Sequence, residues 1–166
     1  MPDDELVVAD TSPLLNLALI GRVDLLESQF QSIVCPEQVW AELVAGENGL
    51  DELRSIRKKG FLSVKLVAEN DLFVEIGHEL DRGEAATISY SIEHGADLTL
   101  LDEREGRRVA RRHGLMVTGV IGILLRGARE EMVDLKSEID ALRGAGFWIS
   151  DDLYADVLEA GEELSN

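Results

Sequence analysis

Short apolar runs alternate with longer segments of helical periodicity along this chain. The short runs have the length and β-branched content of buried strands, and they are Leu6–Ala9, Ser32–Cys35, Leu62–Val67, Leu98–Leu101, Leu115–Thr118 and Phe147–Ile149. Between them, apolar residues recur at helical spacing, as at Val39, Trp40 and Leu43. This alternation predicts an α/β domain with a mostly parallel central sheet.

Capping residues and glycines predict where the helices begin and end. Ser12 followed by Pro13 is typical of an N-cap and a first helical residue. A turn at 81–83 should precede a helix that begins at Glu84 and ends before Gly95. Further helices are predicted over 22–30, 37–46, 50–59, 70–80, 103–113, 120–130, 134–144 and 151–163.

The length and composition indicate one globular domain. The 166 residues are 45% hydrophobic and 30% charged, so we expect a single domain over 1–166, with a core over about 5–150 and a C-terminal helix over 151–163. No apolar run reaches the length of a membrane span. The acidic start MPDDELVV resembles no secretory signal, which favours a cytoplasmic location. The one cysteine, Cys35, is expected to be a small buried residue.

The net charge changes the expected environment and partners. The formal net charge is −17, and a surface of that charge repels itself at low salt. We therefore expect a protein adapted to a salty cytoplasm. The charge also argues against nucleic-acid binding by overall attraction, so any such contact would have to be local.

Two of the predicted strands run directly into an aspartate. LVVA is followed by Asp10, and LTLL is followed by Asp102. The carboxyl ends of parallel strands share one edge of the sheet, where ligands bind in open α/β folds. A capping box with Glu105 is an equally good explanation of Asp102. Asp10 is not needed as a cap, because Ser12 already fills that place.

Two helical glutamates extend this acidic set. Glu42 lies beside the apolar face of its helix, and Glu84 lies in a first turn, where the helix dipole favours an anion. Taken alone, each is better explained as a solvated or dipole-paired acid than as a metal ligand. Four acids at one sheet edge would repel and raise one another's pKa values unless a cation neutralised them. Oxygen ligands suit Mg²⁺ or Mn²⁺, and a carboxylate-held metal pair can activate water for phosphoryl displacement.

The order of these motifs resembles the PIN-domain nucleases. The motifs are a strand ending in Asp-Thr-Ser, a helical Val-Trp-Ala-Glu-Leu, a Gly-Glu-Ala-Ala helix start and a strand ending in Leu-Leu-Asp. The stretch LDRGEAATISYSIEHGADLTLLDEREGRRVARRHGLMVTGVIGILL is similar to a prokaryotic, largely archaeal branch grouped with toxins of type II toxin–antitoxin pairs. The similarity extends from Asp10 to about Ile149, and it implies a three-layer α/β/α fold.

The resemblance implies a catalytic role for the acidic set. It assigns Mg²⁺ or Mn²⁺ binding and cleavage of single-stranded RNA to Asp10, Glu42, Glu84 and Asp102. Thr11 or Ser12 would orient Asp10 or a water molecule, and Glu103 would replace or assist Asp102. The chain departs from better-studied toxins at Glu84, where they often have Asp, and at Leu100, where they often have Thr. These departures leave the metal number and the substrate open.

The segment EREGRRVARRHG is the one dense basic patch in the sequence. Arg104, Arg108 and Arg111 are expected to share a helix face, with Arg107 beside Arg111. Arginine grips phosphate with two parallel hydrogen bonds, so Arg104, Arg107 and Arg108 are candidate RNA contacts. Alternatively, these arginines pair with neighbouring glutamates and favour the helix C-terminus.

Three functional hypotheses follow from these residues. The first is a metal-dependent endoribonuclease with an RNA substrate, a small antitoxin partner and a homodimeric state, all implied by the resemblance. The second is a catalytically silent binding module that acts through a protein or RNA partner. The third is a phosphotransfer domain that uses Asp10. It is disfavoured because Ser12 stands where haloacid-dehalogenase-type enzymes have a second Asp, and because no receiver-type lysine follows 115–118.

Overall fold

A five-stranded sheet forms the centre of the structure, a computed structural model that describes residues 5–165. Residues 1–4, part of the acidic start considered above, and residue 166 lie outside the described residues. The strands are β1 (Val7–Ala9), β2 (Ile33–Pro36), β3 (Leu62–Lys65), β4 (Leu98–Leu100) and β5 (Val117–Thr118). All pairings are parallel, in the order β3-β2-β1-β4-β5. The predicted α/β class and parallel sheet are therefore confirmed.

Helices cover both faces of this sheet. They are α1 (Thr11–Leu19), α2 (Asp24–Gln29), α3 (Glu37–Gly46), α4 (Leu50–Lys58), α5 (Asp71–Gly77), α6 (Arg82–His94), α7 (Arg104–Arg112), α8 (Val120–Arg129), α9 (Leu135–Gly144) and α10 (Asp151–Ser165). One apolar cluster joins α1–α4 and α8–α10 to the sheet, and a second joins α5–α7. This arrangement gives three layers. Among the described residues, no helix is long and apolar enough to cross a membrane.

Alternating side chains of the strands supply both clusters. Val7 and Ala9 of β1 pack with the first cluster, while Leu101, just after β4, packs with the second. Thr99 of β4 is fully buried on the side of α6, where its hydroxyl donates to Ser91 Oγ at 3.0 Å. The buried hydroxyl is thus satisfied, and a polar residue is tolerated in an otherwise apolar strand.

The order of the strands creates a switch point beside β1. The chain proceeds from β1 outward to β2 and β3, and then returns to the other side of β1 as β4. Crossover helices diverge from such a point, so the carboxyl ends of the two strands open onto a crevice. The acids that follow β1 and β4 are therefore placed at this crevice.

The last predicted strand is wrong. Phe147–Ile149 forms no strand and connects α9 to α10 as an irregular segment. Its backbone groups are satisfied locally, because Phe147 N–H donates to Leu142 O at 3.1 Å and Ile149 O accepts from Arg143 at 2.8 Å. Ile149 is buried in the core, so the apolar pattern reflects packing without strand pairing.

Two predicted helix starts are also displaced. α1 begins at Thr11 with Asp10 at the N-cap position, so Ser12 lies within the first turn and is not the cap. α6 begins at Arg82 because Asp81 caps it by accepting a hydrogen bond from Glu84 N–H at 2.8 Å. In both helices an aspartate occupies the N-cap, and the helix begins two residues earlier than the sequence pattern predicts.

Candidate active site

Backbone pairing at the switch point brings two aspartates to one edge of the sheet. Asp10 directly follows β1, and its N–H donates to Leu100 O of β4 at 3.0 Å. Asp102 lies two residues beyond Leu100, after Leu101, whose N–H donates to Thr118 O of β5 at 2.9 Å. The two carboxylates are close enough for Asp102 to raise the pKa of Asp10 by repulsion.

Asp10 is a buried carboxylate among other acids. Only 4% of the residue is exposed, and its side chain makes no capping hydrogen bond to α1. Burial raises its pKa to about 7 against the opposing effect of the Thr11 backbone N–H, and repulsion from Asp81, Glu42 and Asp102 adds to the rise. An ionised carboxylate in this position is costly unless a cation approaches it.

Hydroxyl groups of the first turn of α1 hold two of the other acids. Thr11 Oγ1 donates to Glu42 Oε2 at 2.6 Å, and Ser12 Oγ donates to Asp102 Oδ2 at 2.7 Å. Asn16 Nδ2 donates in turn to Ser12 Oγ at 2.9 Å. The resemblance implies that Thr11 or Ser12 orients Asp10 or a water molecule; in the structure their hydroxyl groups donate to Glu42 and Asp102.

Asp102 caps a helix, but a different one from the helix proposed from the sequence. Glu103 occupies the N-cap of α7, so the capping box of Asp102 with Glu105 is wrong. Asp102 Oδ1 accepts the N–H of Val120, the first residue of α8, at 2.8 Å. Burial raises the pKa of Asp102, although the hydrogen bonds from Val120 and Ser12 oppose that rise.

Glu84 carries the clearest sign of an absent partner. Only 7% of the residue is exposed, and its Oε2 is buried without a hydrogen-bond partner. Burial, followed by hydrogen bonding to and repulsion from Asp81, raises its pKa to about 8. Buried polar atoms are normally paired, so an orphaned carboxylate oxygen indicates a group to be bound.

Asp81 is the acid that the sequence prediction missed. The sequence pattern predicts a turn there, whereas the structure places Asp81 at the N-cap of α6, where it raises the pKa values of both Asp10 and Glu84. The spacing Asp-x-x-Glu is a known signature of a helix N-terminus, and it would have located this residue.

Three glycines make room for three of these carboxylates. A Cβ atom added at Gly83 would lie 2.5 Å from Glu42 Oε1, and one at Gly106 would lie 2.5 Å from Glu84 Oε2. A Cβ at Gly119 would overlap Asp102 Oδ1. The carboxylates thus rest against bare backbone, and larger residues would displace them.

The acidic side chains lie near one another at the crevice, but they do not converge on a single position. Within residues 5–163, no group of three acidic, histidine or cysteine side chains is arranged to hold a single ion. The hydroxyl groups of Thr11 and Ser12 and the N–H of Val120 hold two of the carboxylates in place. The donor set nevertheless fits a hard divalent cation, because it consists of carboxylate oxygens and includes the orphaned oxygen of Glu84.

A cleft of about 1000 Å³ opens beside Asp102. Glu103, Arg104, Arg107 and Arg111 line it, together with apolar residues of α1 and α8. Arg107 lies against the acidic site, since its Nη1 donates to Leu101 O at 3.3 Å. The three arginines and Asp102 therefore line one continuous cleft.

Arg108, a predicted RNA contact, is not at this cleft. Its guanidinium pairs with Glu105 at 2.9 Å and with Glu79 at 3.6 Å, on another side of α7. Arg111 takes its place among the arginines that line the cleft. The predicted grouping of Arg104, Arg108 and Arg111 on one face is thus replaced by Arg104, Arg107 and Arg111.

The fold and the site together define a class of protein. It is an α/β domain whose parallel sheet presents buried acids at the switch point, next to an arginine-lined cleft. A family model described as a PIN domain matches residues 6–163, so the chain belongs to the PIN-domain family. No curated protein matches the chain. PIN domains are generally nucleases, and the resemblance seen in the sequence is confirmed at the level of this superfamily.

Proposed function

We propose that the protein is a divalent-metal-dependent endoribonuclease that cleaves phosphodiester bonds of single-stranded RNA. The observation that carries the proposal is the burial of Asp10 and Glu84 beside a third acid, Asp81. The charged groups that act most strongly on these two carboxylates are themselves acidic. A bound cation would remove this repulsion, and PIN-family membership makes nuclease chemistry its natural use.

Different residues would bind the metal ion, position its ligands and bind the RNA. Asp10, Glu42, Glu84 and Asp102 would hold Mg²⁺ or Mn²⁺, whose Lewis acidity supplies water activation and charge neutralisation when it is bound. Thr11 and Ser12 position Glu42 and Asp102 through short hydrogen bonds. Glu103 lines the cleft beside Asp102 and would assist or replace it. Arg104 and Arg107 line the same cleft and would bind phosphates of the RNA.

Metal titration and RNA cleavage test this proposal together. The wild type should bind Mn²⁺ by calorimetry at high salt and cleave a labelled single-stranded RNA. Asp10→Asn and Asp102→Asn should lose both properties while keeping the fold, as measured by circular dichroism. Asp51→Asn is the matched control, because this exposed acid of α4 lies outside the site. Cleavage that survives in both site variants would reject the assignment.

A second candidate is a catalytically silent PIN domain that binds a protein or RNA partner. The positions of Glu42 and Asp102 favour it, since each is held by a hydroxyl group rather than directed at a common point. Saturable RNA binding by the wild type, with no cleavage in Mg²⁺ or Mn²⁺ from low to high salt, would support this candidate over the nuclease.

We further infer a toxin role from the resemblance given above. The chain would then form one domain, work in a salty cytoplasm as a homodimer, and be neutralised by a small antitoxin protein. Induced expression of the wild type should arrest growth of a host cell, whereas Asp10→Asn should not. Equal growth with both proteins would remove the toxin role and leave the nuclease proposal intact.

A further inference from the structure

The five arginines of α7 fall into two sets with different surroundings. Arg108 and Arg112 both form ion pairs with Glu79, and Arg108 also pairs with Glu105. Arg104, Arg107 and Arg111 face the cleft beside Asp102. Among the described side chains, none of these three forms an ion pair with a carboxylate.

This second set brings three arginines to one cleft in a chain of net charge −17. Other arginines of the same helix pair with acids, as Arg112 does with Glu79 at 2.7 Å. The three guanidinium groups outnumber the two carboxylates that line the cleft, Asp102 and Glu103, and guanidinium groups match phosphate geometry. The cleft is therefore suited to a phosphate chain despite the overall charge.

An exposed tryptophan lies at the same cleft. Trp148 is 82% exposed, although its neighbour Ile149 is buried and Phe147 packs against the core. The backbone on either side is therefore anchored while the indole lies open to solvent beside the cleft. The other tryptophan, Trp40, is partly buried and covered by the guanidinium of Arg57 at 4.8 Å from its ring centre.

We propose that this cleft binds a single-stranded stretch of the RNA substrate, with phosphates on Arg104, Arg107 and Arg111 and an unpaired base stacked on Trp148. The inference rests on the proposed function and identifies which part of the substrate the site recognises. A base can stack on an aromatic ring only when its face is free, as in a single strand. Because Asp102 lines the same cleft, the bound strand leads directly to the acidic site.

Tryptophan fluorescence tests the stacking contact without requiring cleavage. In Trp40→Phe only Trp148 emits, and in Trp148→Phe only Trp40 emits. With EDTA present, an unstructured RNA of about 12 nucleotides should quench the first variant in a saturable manner and leave the second unchanged. An RNA of the same length without bases should bind through its phosphates but cause no quenching.

Salt dependence tests the arginines. Each phosphate contact to a single strand contributes about 0.7 to the slope of log affinity against log salt concentration. Arg111→Gln should therefore reduce that slope by about 0.7. Arg112→Gln is the matched control, because it removes the same charge from the same helix outside the cleft, and it should leave the slope unchanged.

Three results would overturn the inference. The first is that RNA does not quench Trp148, and the second is that a duplex of the same sequence quenches it equally. The third is that Trp148 emission changes with protein concentration alone, which would show that a second copy covers the cleft. The nuclease proposal can fail separately. Quenching without cleavage in any metal supports the cleft and rejects the nuclease, whereas cleavage without quenching rejects only the cleft.

Discussion

Replacing Asp10 by asparagine should stabilise the metal-free protein at alkaline pH. Burial raises the pKa of Asp10 from an ordinary value of 3.8 to about 7. The folded state therefore holds a proton that the unfolded chain has released, and stability falls as the pH rises from about 4 to about 7. At about 1.4 kcal/mol per pH unit, the penalty at pH 8 amounts to about 4 kcal/mol.

The asparagine variant avoids that penalty but introduces a smaller cost. Its amide N–H group must find a partner in a buried position, which costs about 1–3 kcal/mol if none is found. The net gain at pH 8 should therefore be about 2 kcal/mol. At about pH 4 the folded wild type already carries a neutral carboxyl group, so the gain should disappear there.

Urea unfolding in EDTA at both pH values measures this difference. Salt at about 1 M should be present, since it screens the general repulsion of the acidic surface. Asp51→Asn, an exposed acid in the first turn of α4, is the control for the loss of one negative charge. When Mn²⁺ replaces EDTA, the free energy of unfolding of the wild type should rise and that of Asp10→Asn should not change. A gain no larger than that of the control, or a gain independent of pH, would refute the reasoning.

Two further predictions concern the groups that support the acids. Gly106→Ala places a Cβ atom 2.5 Å from Glu84 Oε2, so Mn²⁺ affinity by calorimetry should fall about tenfold or more, equivalent to about 1.4 kcal/mol, while Gly144→Ala, with open space around it, leaves affinity unchanged. An unchanged affinity in Gly106→Ala would show that Glu84 is not a ligand. Ser12→Ala removes a 2.7 Å hydrogen bond to Asp102, and it should cost about 1–3 kcal/mol in urea unfolding because the acceptor is left partly buried. A loss below about 0.3 kcal/mol would mean that water replaces the hydroxyl.

The acids nearest the sheet were accessible to sequence reasoning. One short apolar run ends at Asp10, and another ends at Asp102. These two runs predict two strands, each with a carboxylate at its carboxyl end. The parallel sheet then places them at one edge, because all its strands point the same way. The five strand positions and the parallel character of the sheet rest on patterns that are local and repeat along the chain.

The partners of the polar side chains were not accessible in the same way. Ser12 was assigned to capping its own helix, yet it donates to Asp102, which is 90 residues away in the sequence. The sequence pattern offers Asp102 as a cap of α7, yet its carboxylate accepts a hydrogen bond from the first N–H group of α8. Asp81 was assigned to a turn, although it raises the pKa values of two buried acids. The contacts of Asp102 with Ser12 and Val120, and that of Asp81 with Asp10, join segments that are separate along the chain, whereas the contact of Asp81 with Glu84 is local.

Sequence alone determined the alternation of strands and helices, the acidic character of the strand ends and the resemblance to PIN domains. Tertiary structure decided which arginines of α7 face the cleft, where Trp148 lies open to solvent, and that Glu84 Oε2 is buried without a partner. The reason is physical. Periodicity reports which side of an element avoids water, whereas the identity of each neighbour depends on how separate elements pack, and that packing sets burial, pairing and pKa.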